Sequence, residues 1–263
     1  MTTIAVVFAA LVGLGLGSFA NVVIYRIPAG ESVVQPRSAC PQCGHVIRNR
    51  HNIPVLSWLW LRRKCADCGA PISARYPLVE LGTALAFVLV VGLNGLQWST
   101  LLLLVLAYMS IILTAVDVDV QRLPDRIVGP FAIAVAGAIL LISAIESSWS
   151  DALRALIGAA LLGAIYFAAW FAYPKGMGFG DVKLAPVLGA TLAFLGWPQL
   201  AVGGFFAFLW GAIAGIVVMV VSKRVKQVKI PFGPWIFAGA WTGIIIGQAV
   251  SDWYLSVVLS TST

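Results

Sequence analysis

Long apolar runs separated by short polar stretches dominate this chain. Eight runs stand out, near residues 3–25, 78–95, 98–116, 127–145, 152–173, 184–196, 199–222 and 231–255. A helix needs about 20 apolar residues to cross the hydrocarbon core of a bilayer, and most of these runs reach that length. The sixth is short and carries Pro186, which leaves its extent open. Apolar and polar positions do not alternate with a period of two, which argues against a barrel. The pattern predicts an all-α integral membrane protein with about eight transmembrane helices. The first run lacks a basic start and is too long for the apolar core of a cleaved signal peptide, so it is expected to remain as a helix.

Composition agrees with the pattern. The 263 residues are 60% hydrophobic and 10% charged, with a mean hydropathy of +0.96. A soluble domain carries about 25% charged residues. The net charge of +7 therefore reports orientation in a membrane rather than nucleic-acid binding. With the N-terminus outside, segments 26–77, 117–126, 174–183 and 223–230 lie inside and hold 8, 2, 2 and 4 basic residues, or 16 of the 17. Only Arg154 falls outside, and basic residues concentrate on the cytoplasmic side of membrane proteins. The basic residues of 26–77 also suit contact with anionic lipid headgroups. The domain division expected is a first transmembrane helix over 1–25, a cytoplasmic loop domain over 26–77 and a multi-helix membrane domain over 78–263.

Two aspartates stand where an apolar run meets a polar gap: Asp117 after LLLLVLAYMSIILTAV, and Asp181 at the end of Gly-Met-Gly-Phe-Gly-Asp. A carboxylate at a membrane boundary is costly and usually marks a working site. The orientation above puts both on the cytoplasmic side. Two such acids can share one proton, as in aspartic proteases, one activating water and the other donating to the carbonyl oxygen. Glycines beside Asp181 would let a substrate backbone approach, or would form an ordinary turn. Asp119, two residues from Asp117, points elsewhere on a helix and is either a supporting group or solvated. Asp125 follows Pro124 before an apolar run and suits a helix cap.

All four cysteines lie in the 26–77 loop, as Cys40-Pro-Gln-Cys43 and Cys65-Ala-Asp-Cys68. Two such knuckles match a tetrahedral structural zinc site, with rubredoxin-like iron as the alternative. A cytoplasmic loop disfavours disulfides. His45 and His51 are nearby, but four thiolates complete the shell, and both read as solvated. The expected architecture is thus a helical membrane protein with a cytoplasmic zinc-knuckle loop between helices one and two. Metal would order a stretch that has little apolar core of its own.

Several segments carry a resemblance that no one of them carries alone. They are Gly17-Ser18-Phe19-Ala20-Asn21-Val22-Val23-Ile24-Tyr25-Arg26-Ile27-Pro28, the two CxxC pairs with Asn52-Ile53-Pro54-Val55-Leu56-Ser57 between them, and Arg75-Tyr76-Pro77 with Glu80. Asp117 with Leu123-Pro124-Asp125, Gly178-Phe179-Gly180-Asp181-Val182-Lys183 and Pro231-Phe232-Gly233-Pro234 complete the set. Together they resemble the bacterial type IV prepilin peptidases, bifunctional leader peptidases and N-methyltransferases, over nearly the whole length.

The resemblance implies a GxGD aspartic protease of the bacterial inner membrane. It implies prepilin or type II secretion pseudopilin substrates, cleaved on the cytoplasmic side after a glycine that ends a basic leader. It implies methylation of the new N-terminus with S-adenosylmethionine as donor. Carried over by motif, Asp117 and Asp181 are the catalytic pair, with Gly178, Gly180, Lys183 and Asp119 supporting them. Glu80 is a candidate for the methylation step, or for an ion pair at the membrane interface. Two departures are Val118-Asp119-Val120-Gln121-Arg122 before the LPD segment and Arg62-Arg63-Lys64 before the second knuckle. The rival class is a proton-coupled transporter with a structural zinc loop. A membrane metal or redox carrier is a third, resting on the cysteines alone.

Overall fold

The computed structural model describes residues 2–174, 176–222 and 231–260. The basic segment 223–230 and Lys175, both counted toward orientation, lie outside the described residues. The chain forms two compact units, Met1–Val116 and Asp117–Thr263. Among the described residues the α-helices are α1 (Thr2–Arg26), α2 (Leu56–Trp60), α3 (Arg75–Asn94), α4 (Trp98–Val120), α5 (Asp125–Glu146), α6 (Trp149–Ala172), α7 (Phe179–Leu195), α8 (Trp197–Ser222) and α9 (Gly233–Ser260).

Each of the eight expected runs forms a helix, yet among the described residues six rather than eight are long and apolar enough to cross a membrane: α1, α3, α4, α5, α6 and α8. The other two fall short for different reasons. α7 has only 17 residues. α9 has 28 residues, but Thr242, Gln248 and Asp252 dilute its apolar character. The protein is an all-α, multi-pass membrane protein.

In the first unit α1 packs on α3. A Cβ added at Gly13 would stand 2.7 Å from the Ala84 Cα, and one at Gly17 would stand 2.7 Å from the Glu80 Cα. Lipid tails give apolar side chains no reason to prefer protein, so helices in membranes associate through close backbone approach at small residues. The same device recurs in the second unit. Gly158 of α6 meets Gly189 and Ala193 of α7, and Gly239 and Gly243 of α9 meet Ala207 and Gly203 of α8.

α7 is the centre of the second unit, touching α5, α6, α8 and α9. Eleven of its residues are buried, and enclosure on all sides accounts for its lack of a polar face. Pro186 does not end it. The ring lies against Gly163 of α6, where an added Cβ would be 2.9 Å from the Pro186 Cγ. α5 starts after Pro124, whose φ of −65° and ψ of 136° place it outside the helix. α5 and α6 form a hairpin closed at Ser147, in the left-handed region at φ 55°. The chain therefore returns to the end it left, bringing the approach to Asp181 back toward Asp117.

Candidate active site and metal centre

Both sequence-selected aspartates are buried, each 5% exposed. Asp117 occupies the last turns of α4, and Asp181 is the third residue of α7. Among the described residues each carboxylate accepts one hydrogen bond, from a backbone N–H to Oδ2. The donor to Asp117 is Gly233, at 2.8 Å. The donor to Asp181 is Gly178, at 3.2 Å, which closes the first turn of α7 as a capping contact. Neither carboxylate has an ion-pair partner among the described residues. The two are near enough that the charge on Asp117 acts on Asp181. A buried pair of carboxylates without a cation, each held by one oxygen only, can activate water and protonate a leaving group.

The glycines beside Asp181 also shape the packing of this turn. An added Cβ at Gly180 would lie 2.8 Å from the Leu123 Cβ, so this glycine lets α7 pack against the LPD turn. Gly178 sits at φ −71° and serves through its N–H. Lys183 reaches the start of α5, with Nζ 2.7 and 2.9 Å from the two oxygens of Asp125, and lies 5.3 Å from the Phe179 ring centroid. Asp125 is therefore not a cap. Pro124 holds the cap position without a side-chain bond, and Asp125 is an ion-pair partner. Asp119 is exposed.

Two contributors escape sequence reasoning. The Pro231-Phe232-Gly233-Pro234 motif turns out to present the N-terminus of α9 to Asp117. A Cβ at Gly233 would be 2.8 Å from the Asp117 Oδ2, so a side chain there displaces the carboxylate. Phe232 is anchored by Tyr166 and Phe208, at ring-centroid separations of 6.3 and 6.0 Å. Tyr166 is fully buried, its hydroxyl has no hydrogen-bond partner among the described residues, and the Asp181 charge acts on it. The PFGP motif is visible in the sequence, whereas Tyr166 is one aromatic among many.

In the first unit the four cysteine sulfurs all lie within 4.8 Å of one another, with Cys40 and Cys68 at 3.9 Å. Zinc–sulfur bonds of about 2.3 Å in a tetrahedron place the sulfurs roughly 3.8 Å apart, so the donor set fits a metal ion. The knuckles are built alike. Cys40 N–H donates to the His45 carbonyl and Cys65 N–H to the Ala70 carbonyl, while the Gly44 and Gly69 N–H groups return to the Cys40 and Cys65 carbonyls. Gly44 and Gly69 stand at φ 72° and 73°, a conformation that costs glycine little. The signal was in the sequence as CxxCG. Backbone N–H groups of Cys43 and Gln42 bring the Cys40 thiol down to about 7. The His45 N–H favours the Cys43 thiolate, but loss of solvent and the neighbouring Cys68 and Cys40 outweigh it and push that thiol up to about 12.

Glu80, on α3, is 8% exposed. Its Oε2 accepts the Val55 N–H at 2.7 Å. It makes no ion pair among the described residues, contrary to the interface-pair reading. Val55 stands at φ 60°, a strained position for a β-branched residue that costs about 1–3 kcal/mol. Glu80 lines a cavity of about 560 Å³ enclosed by the end of α1, the start of α3 and the cysteine loop.

Comparisons with known proteins place the chain in a family. Residues 11–93 match the family described as the bacterial peptidase A24 N-terminal domain, and residues 104–220 match the type IV leader peptidase family. The chain is 37% identical to a protein of Aeromonas hydrophila named prepilin leader peptidase/N-methyltransferase, over 94% of this chain and 92% of that one. Proteins with the same name in Pseudomonas aeruginosa and Neisseria gonorrhoeae are 34% and 35% identical, covering 93% and 97% of this chain and 91% and 96% of their own. No solved structure matches.

Proposed function

Because the chain belongs to the bacterial type IV leader peptidase family, we propose that it removes the basic leader of prepilins or pseudopilins in the inner membrane and then methylates the new amino terminus. Asp117 and Asp181 are the catalytic pair. The observation that carries this reading is the burial of two carboxylates without an ion-pair partner among the described residues, each fixed through Oδ2 by a backbone N–H. Oδ1 of each is left for water and substrate. With one proton shared between them, the ionised acid takes a proton from water while the other donates to the scissile carbonyl oxygen. As the intermediate collapses, the amide nitrogen leaves with a proton. The two acids titrate as a unit, so neither is assigned a fixed role.

Gly178 and Gly180 shape the first turn of α7. Lys183 ties that turn to α5 through Asp125, and Asp119 lies at the outer edge. The active site faces the cytoplasm, with the N-terminus outside. Residues 1–25, 26–77 and 78–263 act as anchor, methylation-associated loop and peptidase domain. Cys40, Cys43, Cys65 and Cys68 hold zinc, a closed structural site that fixes the loop. S-adenosylmethionine supplies the methyl group, and Glu80 belongs to the methylation site.

Prepilin cleavage in membranes carrying Asp117→Asn or Asp181→Asn tests the core of this reading. General acid–base groups contribute roughly 10²–10⁴-fold, so each change should remove detectable cleavage while the protein still accumulates. Cleavage near the wild-type rate in either variant would overturn the pair.

A further inference from the structure

The cavity of about 560 Å³ in the first unit is within the size range of small-ligand sites. Val22, Ile47, Ile53, Trp58 and Ile72 give it an apolar wall. Into this wall is set Glu80, more than nine-tenths buried and without an ion-pair partner among the described residues. A buried carboxylate is stable when a cation meets it. The fold supplies one hydrogen bond to Glu80, from the Val55 N–H, and although Arg26 and Arg37 also line the cavity, neither pairs with this carboxylate. It holds Val55 at φ 60° where that N–H meets the carboxylate.

Asn21 adds a second acceptor on the same cavity. Its Nδ2 protons go to the Gly17 and Tyr76 carbonyls, and its Oδ1 meets no donor among the described residues. One carboxylate and one amide oxygen are too few for a calcium or magnesium ion, which gathers six or more oxygens. They suit an ammonium group, which has three donors and one charge.

We propose that this cavity holds a free peptide amino terminus, its ammonium against Glu80 and Asn21 and its apolar first side chain against the wall. The proposal rests on the methylation reading above, and it makes the cysteine loop a wall of that amine site.

The test is calorimetric titration of the full-length, zinc-loaded protein in detergent with a short peptide that begins with phenylalanine. The same peptide with an acetylated amino terminus is the comparison, and it requires no variant. Acetylation should weaken binding by about tenfold or more, the scale of losing a desolvated charge partner. Glu80→Gln should abolish the preference, and Glu80→Asp should keep part of it. Ile47→Trp, which fills the cavity, should weaken both peptides. Metal content and elution volume report the integrity of each variant. Equal affinity for the two peptides, or a Glu80→Gln protein that keeps the preference, overturns the proposal. So does a Glu80→Gln protein that loses affinity for S-adenosylmethionine instead, because the carboxylate then serves the methyl donor. A wild type that prefers the free-amino peptide but transfers no methyl group to it would count against the methylation reading alone, since binding is read without transfer.

Discussion

At Gly233 an added Cβ would come within 2.8 Å of the Asp117 Oδ2, and the N–H that orients this carboxylate belongs to the same residue. Gly233→Ala should therefore lower cleavage by about 10²-fold, the scale of a misplacement near 1 Å at a reacting group. Circular dichroism should be unchanged, because the clash is with a side chain. The aspartates were legible in the sequence because a charge beside an apolar run is rare. The role of Gly233 was not, because its partner lies 116 residues away and no local pattern links the two. The cysteines lie between these cases: their spacing named the site, and the structure added the reason for the glycine after each knuckle. Metal binds the thiolates, so protons compete with it as pH falls. Metal content measured after dialysis should be retained at neutral pH and fall as the buffer is acidified.

Arg154 is the single basic residue that the charge count left on the outer side, and the packing of α6 on α7 explains it. Its guanidinium donates to the carbonyls of Ala193 and Phe194, two of the last carbonyls of α7, and it pairs with Asp151 at 2.9 Å. A cation at a helix C-terminus satisfies carbonyls that have no intrahelical donor. Arg154→Ala should destabilise the protein by about 1–3 kcal/mol, the cost of buried acceptors left unmet. Thermal unfolding in detergent should shift down accordingly, while cleavage at low temperature persists. By contrast, Lys183 and Asp125 are largely exposed, and their pair should add no more than about 1 kcal/mol. The helices were legible from apolar runs alone. The extent of α7 was not, because a proline at position 186 reads equally as a break or as a tolerated ring. Only Gly163 on the facing helix decides between them.

The whole chain divides so that the cysteines and Glu80 fall in the first unit, while both aspartates and every group bonded to them fall in the second. Chelation should then act locally. Limited proteolysis with chelator present should cut within 27–74, where secondary structure is sparse, and leave the helices of 117–263 protected. Protection of both regions, or loss of both, would contradict this division. Composition was enough to establish a membrane protein. It did not yield the count of spanning helices, because α7 is enclosed by protein and its 17 residues fall short of a full span.

That enclosure has a consequence for the lipid. Seventeen residues rise about 25 Å, roughly 5 Å less than a typical hydrocarbon core. The Arg154 guanidinium at the far end must reach the headgroup layer, so the shortfall falls at the Asp181 end. Water must descend to the carboxylate there, and a thicker bilayer lengthens the descent. Reconstituted into phosphatidylcholines of increasing acyl length, the protein should cleave progressively more slowly, whereas a rate indifferent to chain length would place Asp181 level with the headgroups.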